Sequence, residues 1–578
     1  MTQRLLVLGL DSAPLSLLEP WIQAGKLPNL SRLIAGGATG ILNSTFPPLS
    51  PAAWSSFATG MNPGKHGVFD HGYRQPGTYK IVPTNARLRG GKALWEIIGE
   101  QGGKVGVINV PETYPPQPVN GFLITGMSTP SDEADWCYPP SLKTELQKAI
   151  GGYKVYGQRS KENLDLSLAG MHQTIPMRIR AAAHLWKAYA PHLLILVLME
   201  TDVVQHKTWK YMDPAHPHYD RVGAQKYGRA ILEVYQRVDE NLPLLLDGLD
   251  EESAVIVMSD HGAGPIEKWL SLNNWLMGEN FLHLKPNPAA RLRHLLFRLG
   301  WTPNNAYKIA AALQLGMVDR AANQLMVQTM TATSQNGDAT VERDKPQNTT
   351  VQPSHLLSRL FLSFADVDWS RTRAYTLGGN LTGIWVNLKG REPQGCVSPG
   401  AEYEQIRDQL IARLRAMRDP SDGLPIATKI YRREEVYQGP YLDRAPDVLF
   451  ETRDEQYIGF GMQEFVTNRL AEPSPLFSGT HRRAGMVSLS GAPFRKGARL
   501  NAHQIVDLAP TILHLLGYTI PSDMDGQVMS EALTAQFHAS HPIQISGESW
   551  LPSPDDHSGY SVEDEAAISE RLKGLGYL

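Results

Sequence analysis

Short apolar runs recur along the chain, each followed by a polar turn and then a helical pattern. Arg4–Leu10 (RLLVLGL), Lys104–Asn109 (KVGVIN), Leu193–Met199 (LLILVLM) and Ala254–Ser259 (AVIVMS) have the length and the aliphatic content of strands covered on both faces. Helical spacing marks Ala93–Gln101, Pro176–Tyr189 and Gln225–Leu242 between them. The last is expected to stop before Pro243, because proline inside a helix removes a backbone hydrogen bond. The alternation predicts an α/β fold: a central, mostly parallel sheet with right-handed crossovers and helices on both faces. Such sheets bind ligands outside the carboxyl ends of their strands. There, three of the four runs lead into an acid: Asp11, Asp202 and Asp260, the last followed by His261.

Beyond Gly264 the pattern changes. Residues 267–375 carry amphipathic helices, among them Arg291–Leu299 (RLRHLLFRL) and Asn305–Leu315, and then a polar stretch with little to bury. That region reads as an inserted helical cap with a mobile loop at 329–350, on a core whose first part is 1–266. Residues 376–440 read as a small α+β segment, with a strand near Thr382–Leu388 and a helix at Glu402–Met417. The core is expected to resume near Asp447–Phe450, within 441–535, and to include a strand near Met486–Ser490 and a helix at Ile505–Leu516. Residues 536–578 read as a linker and a C-terminal helix, Glu563–Leu575, docked on the surface. The three arginines of the 291–299 helix face an anionic substrate, a membrane surface or plain solvent.

Composition narrows the class. Of 578 residues 42% are hydrophobic and 20% charged, which excludes a largely disordered chain. Fifty-five basic residues against 58 acidic ones give a net charge of -3, too little positive charge for a nucleic-acid polymer as partner. Two cysteines, Cys137 and Cys396, make no disulfide framework. The longest strongly apolar stretch, Leu193–Met199, falls far short of the ~20 residues of a transmembrane segment. The N-terminal apolar run is too short for a signal peptide. A soluble, cytoplasmic protein is the expectation.

Candidate chemistry begins in the segment from Ser44 to Gly60. Pro51 suits the first position of a helix, which makes Ser50 its N-cap. A serine there either caps the helix or stands where a phosphoryl group would dock on free backbone N–H groups. The N–H groups of Ala52 or Ala53 are candidates to hold a phosphoryl oxygen. Asp202 and His206, four apart, share either a metal or a surface pairing. Asp260-His261-Gly262 sits at the ligand-binding edge, and His481 is a lone histidine before a strand-like segment. Lys65, His66, Arg482 and Arg483 are either anion contacts or structural. Taken together, Asp11, Ser50, Asp202, His206, Asp260, His261 and His481 form an N/O ligand set for two divalent metal ions, zinc first and manganese second.

These motifs resemble the alkaline phosphatase superfamily, in its type I phosphodiesterase/nucleotide pyrophosphatase branch and its prokaryotic phosphohydrolase/phosphomutase group. The resemblance is carried by Gly9-Leu-Asp11, Thr45-Phe-Pro-Pro-Leu-Ser50, Thr59-Gly60-Met-Asn-Pro-Gly-Lys-His66-Gly67, Asp202 with His206, Ser259-Asp260-His261-Gly262, Gly479-Thr-His481 and Asp523-Met-Asp-Gly526, in that order. It covers about 1–265 and 440–530. It implies an alkaline-phosphatase-like sheet, a first metal on Asp202, His206 and His481, a second on Asp11, Asp260 and His261, and Ser50 as both nucleophile and metal ligand. Many diesterases of the branch have Thr followed by Phe-Pro where this chain has Ser50 followed by Pro-Ala-Ala. Trp54 stands near the position where sulfatases carry an arginine, which argues against that chemistry.

The expected function is therefore a two-metal phosphohydrolase. It would act on a small phosphorylated substrate of phosphodiester or nucleotide-like type, through a phosphoserine at Ser50. A phosphomonoesterase or phosphomutase with the same site is the alternative, and a non-catalytic metal-binding protein a more distant one.

Overall fold

The computed structural model describes residues 4–158, 160, 163–250, 252–306, 361–377, 382–459, 465–474, 477–547, 549 and 560–575. The expected loop at 329–350, and all but the first two residues of the Asn305–Leu315 helix, lie outside them.

The apolar runs form the middle of a nine-stranded sheet. Ser253–Met258, Arg4–Leu10, Leu193–Leu198, Val105–Ile108 and Gly121–Ile124 are adjacent and parallel. Ala484–Ser490 extends the sheet antiparallel beside Ser253–Met258, followed by Gly37–Asn43 and His503–Gln504. Cys137–Tyr138 closes the other edge, antiparallel to Gly121–Ile124. Side chains alternate between two apolar layers. Leu5 and Val7 pack with Trp54, Phe57, Trp95 and Ile512, while Leu6, Leu8 and Leu10 pack with Ile175, Ile179, Trp186 and Val234. This is the doubly covered sheet that the continuous aliphatic runs require.

Two of the helices expected from the sequence pass through prolines. The segment expected as Pro176–Tyr189 begins at Leu164, and the helix expected to stop before Pro243 runs from Ala230 to Leu246. Each proline leaves the carbonyl four residues earlier without its helical donor. Both carbonyls are supplied from elsewhere. Arg237 Nε donates to the His172 oxygen at 3.2 Å, and Asn29 Nδ2 donates to the Asp239 oxygen at 2.9 Å.

A second, four-stranded antiparallel sheet has the order Ala374–Tyr375, Gly383–Val386, Val448–Thr452, Ala427–Arg432. The Ala401–Ala416 helix covers it, burying Ile406, Leu410 and Leu414 in a separate apolar cluster. The strand expected to resume the central sheet near Asp447–Phe450 thus belongs to this smaller layer. Its alternation is equally apolar, and only pairing partners distinguish the two destinations. The Val562–Leu575 helix docks through Ile568 and Leu572, and the Arg571 guanidinium lies 3.6 Å from the Tyr156 ring centroid. Among the described residues no helix is long and apolar enough to cross a membrane.

Near that docking point Glu112 is fully buried, with Ser128 Oγ donating to its carboxylate at 2.8 Å. Burial pushes its pKa up from 4.5 to about 7. The folded state therefore holds a proton that the unfolded state releases. The associated stability is fully present below pH 4.5 and is lost as pH rises through about 7. Against Glu112→Gln, the wild type should lose about 3 kcal/mol of unfolding free energy between about pH 5 and about pH 8, measured by urea denaturation. Parallel curves for the two proteins would show that the carboxyl is already ionised at pH 5.

Candidate active site

Asp11, Asp202, Asp260 and His261 all follow carboxyl ends of adjacent parallel strands, so the sheet register alone brings them together. His481 comes from the short strand Gly479–Arg482, antiparallel to Gly262–Pro265, with Ala263 opposite His481. Ser50 is the first residue of the helix Ser50–Thr59 rather than its cap; extended Leu49 holds the cap position. The Ser50 Oγ is directed at His261 Nε2, 3.1 Å away. Ala53 N–H is spent on the Leu49 carbonyl at 2.9 Å, so of the two expected amides Ala52 is the one left for an anion.

The histidine tautomers follow from their backbone partners. His206 Nδ1 donates to the Gly479 carbonyl at 2.8 Å, His481 Nδ1 to Pro48 at 2.8 Å and His261 Nδ1 to Gly262 at 3.1 Å. In neutral rings the Nε2 atoms then carry lone pairs. His206 Nε2 and His481 Nε2 face each other at 3.0 Å, with Asp202 Oδ1 3.1 Å from the first and 3.4 Å from the second. Three lone-pair donors converging in a buried space repel one another unless a cation stands between them. On the Ser50 side, Asp260 Oδ2 lies 3.3 Å and Asp11 Oδ1 3.7 Å from His261 Nε2. Neither oxygen accepts a hydrogen bond among the described residues. The geometry groups Asp202 with His206 and His481, and Asp11 with Asp202 and His261, each as a set able to hold an ion. Asp260 joins through its contact with His261.

Electrostatics agree with the donor geometry. Burial, then Asp260 and Asp202, hold Asp11 well above the usual carboxylate range. Burial, then Asp202, push Asp260 up to about 8. Asp202 stays well below the usual range against its own burial, because His206 and His481 face it. Burial, then His481, keeps His261 neutral. Asp11 and Asp260, which burial keeps from ionising without a compensating charge, fit divalent cations on these residues.

Several contributors escape a reading of motifs. Trp54 Nε1 donates to Asp11 Oδ2 at 2.9 Å and fixes that carboxylate. The indole fits because residue 9 is glycine; a Cβ there would sit 2.5 Å from Trp54 Cη2. Thr201 Oγ1 donates to the Asp11 carbonyl at 2.6 Å and Gln205 Nε2 to that of Ser12 at 2.7 Å, tying the Glu200–Met212 helix to the first strand. His71 is fully buried within electrostatic reach of His481, Asp202 and His206; burial, then His481, drives it down to about 3. A tryptophan one turn beyond Ser50 was the available signal for the first of these. The candidate anion contacts have structural partners. Lys65 pairs with Asp525 at 2.5 Å, His66 Nε2 lies 2.9 Å from Ser56 Oγ, and Arg482 donates to the carbonyls of Glu455, His481 and Pro265. Arg483 Nη1 lies 3.9 Å from Glu451.

Residues 5–313 match the family described as type I phosphodiesterase / nucleotide pyrophosphatase. The chain belongs to that family. Membership makes this phosphodiesterase-family chain a phosphoryl-transfer hydrolase of the alkaline phosphatase superfamily. The match ends before His481, which the fold supplies. No curated protein matches the chain. Among solved structures, phosphonoacetate hydrolase from Sinorhizobium meliloti 1021 in complex with phosphonoformate aligns over 89% of this chain and 95% of its own, at 16% identity and a TM-score of 0.51. The same enzyme with phosphonoacetate aligns over the same shares at 15% identity and 0.49. The likeness shows a common fold.

Proposed function

We propose that the chain cleaves phosphodiesters through a covalent phosphoserine on Ser50, with two divalent cations, zinc first and manganese second. Asp202, His206 and His481 would hold one cation; Asp11, Asp260, His261 and Ser50 would hold the other. When bound, such cations supply Lewis acidity that stabilises an alkoxide and draws charge from the phosphoryl oxygens. The observation that carries the reading is the Ser50 hydroxyl, fully buried at a helix tip and 3.1 Å from His261 Nε2 beside the converging donors.

The chain's own residues do the rest. The helix Ser50–Thr59 directs its positive end at the nucleophile and the phosphoryl group, a contribution of about 0.3–1 kcal/mol. Ala52 N–H would hold a non-bridging oxygen. Ser50 Oγ forms the new bond to phosphorus while the bond to the leaving oxygen breaks; that oxygen keeps the electron pair and takes a proton. Water then attacks the phosphoserine, which releases the phosphate monoester and returns the serine hydroxyl. Trp54 holds Asp11 in place throughout, and the carbonyls of Gly479, Pro48 and Gly262 hold the three imidazoles in one tautomer.

Metal-loaded protein should turn over bis-p-nitrophenyl phosphate with a higher kcat/KM than p-nitrophenyl phosphate. The reverse order would assign the site to monoesters or to phosphoryl transfer between hydroxyls.

A further inference from the structure

The helix Pro288–Arg298 takes no part in the chemistry above. Asn287 begins it: its Oδ1 accepts from the Ala290 N–H at 2.8 Å, and Pro288 takes the first helical position. One face is seated on the protein. Ala290 and Phe297 are buried, and the Phe297 ring centroid lies 5.9 Å from that of Phe465. On the same side Arg293 Nε donates to both oxygens of the buried Asp366 carboxylate, at 3.1 and 3.0 Å.

The opposite face is open to solvent. Leu292, Leu295 and Leu299 recur at spacings of three and four, which puts them on one stripe. They are 57%, 55% and 75% exposed, and Trp301, just beyond the helix, is 43% exposed. Single exposed leucines are ordinary on a protein surface. Here, four of the eleven large apolar side chains exposed among the described residues fall within ten consecutive positions, and a contiguous apolar patch marks a docking surface.

Charge indicates what covers the stripe. Residues 280–306 contain four cations, Lys285, Arg291, Arg293 and Arg298, and no acid, in a chain whose net charge is -3. Arg291 and Arg298 are seven positions apart, close to two helical turns, so both run along one edge of the leucine stripe. Both are exposed, and neither pairs with a carboxylate among the described residues. An apolar stripe edged by cations and ended by a tryptophan matches the boundary between acyl chains and anionic headgroups. Leucines enter the acyl layer, arginines stay at the level of the phosphates, and an indole spans the two.

We infer that this helix docks the protein on the surface of an anionic lipid bilayer. Leu292, Leu295, Leu299 and Trp301 enter the interface, and Arg291 and Arg298 contact headgroup phosphates. The helix lies in the plane of the surface, and the contact is peripheral. It is independent of the reaction at Ser50, so neither reading stands or falls with the other.

The test is co-sedimentation of the full chain with phosphatidylcholine vesicles, made with and without phosphatidylglycerol. Two double variants are compared with wild type: Leu292→Gln with Leu295→Gln, and Arg291→Gln with Arg298→Gln. Wild type should pellet with the anionic vesicles and less with the neutral ones. The leucine pair should weaken partitioning about a hundredfold, about tenfold for each side chain. The arginine pair should weaken it roughly twenty-fivefold, about fivefold for each cation, and should flatten its decline with added salt. Both pairs replace exposed side chains, so their urea unfolding should match wild type. Wild type that stays in the supernatant at low salt, or binding that neither pair changes, would overturn the inference. So would a leucine pair with a lowered unfolding midpoint, which would assign the stripe to residues 307–360 of this chain. Self-association that the leucine pair abolishes would assign it to a second copy and overturn the lipid reading equally.

Discussion

Ser50→Ala should lower turnover of bis-p-nitrophenyl phosphate by at least about 10⁴-fold while the protein stays folded and its metal content, still held by the aspartates and histidines, stays nearly intact. The loss is large because the Ser50 hydroxyl is the nucleophile of the proposed reaction. Ser50 Oγ contacts His261 Nε2 directly, and the helix it begins is buried along its whole length, so its position is set by packing rather than by substrate. The structural cost is small, since the Ser50 hydroxyl bonds to His261 and not to the helix backbone. Rapid quenching of wild type with a radiolabelled diester should trap label on Ser50, and the alanine variant should trap none. Turnover by Ser50→Ala within about tenfold of wild type would remove the nucleophile from the scheme.

Removing divalent cations should have the second large effect, and stability reports it independently of activity. Without a cation, Asp11 and Asp260 are buried with raised pKa values, and the Nε2 atoms of His206 and His481 crowd together at 3.0 Å. A cation that binds only the folded chain should raise the unfolding free energy by about 2.7 kcal/mol at 100 times its dissociation constant. Zinc added to chelator-treated protein should show this gain, and His481→Ala should lose most of it. The same titration with manganese would rank the two ions. A wild type indifferent to both would leave the converging donors without a ligand.

Much of the fold was legible because aliphatic runs report burial directly. Leu193–Leu198 and Ser253–Met258 lie where their sequences place them, as does the first strand. The site residues were legible for a related reason: strand ends are sequence-local, and parallel register carries Asp11, Asp202 and Asp260 to one edge without further information. What stayed hidden depends on partners distant in sequence. Pro243 reads as a stop until Asn29 is seen to supply the Asp239 carbonyl. Val448–Thr452 reads as any buried strand until its neighbours are known. Ser50 reads as a cap because the competing acceptor, His261, lies 211 positions away in the chain. Trp54 reads as core, which it is, while also serving Asp11 through its one polar atom.

The absent side chain at position 9 has a genetic consequence. A methyl group there would collide with the indole that steadies Asp11, so alanine displaces Trp54 before it disturbs anything else. Variants at this codon should emerge from a screen as soluble but inert, and those that regain activity should carry a smaller ring at 54. Two positions 45 residues apart then drift only as a pair.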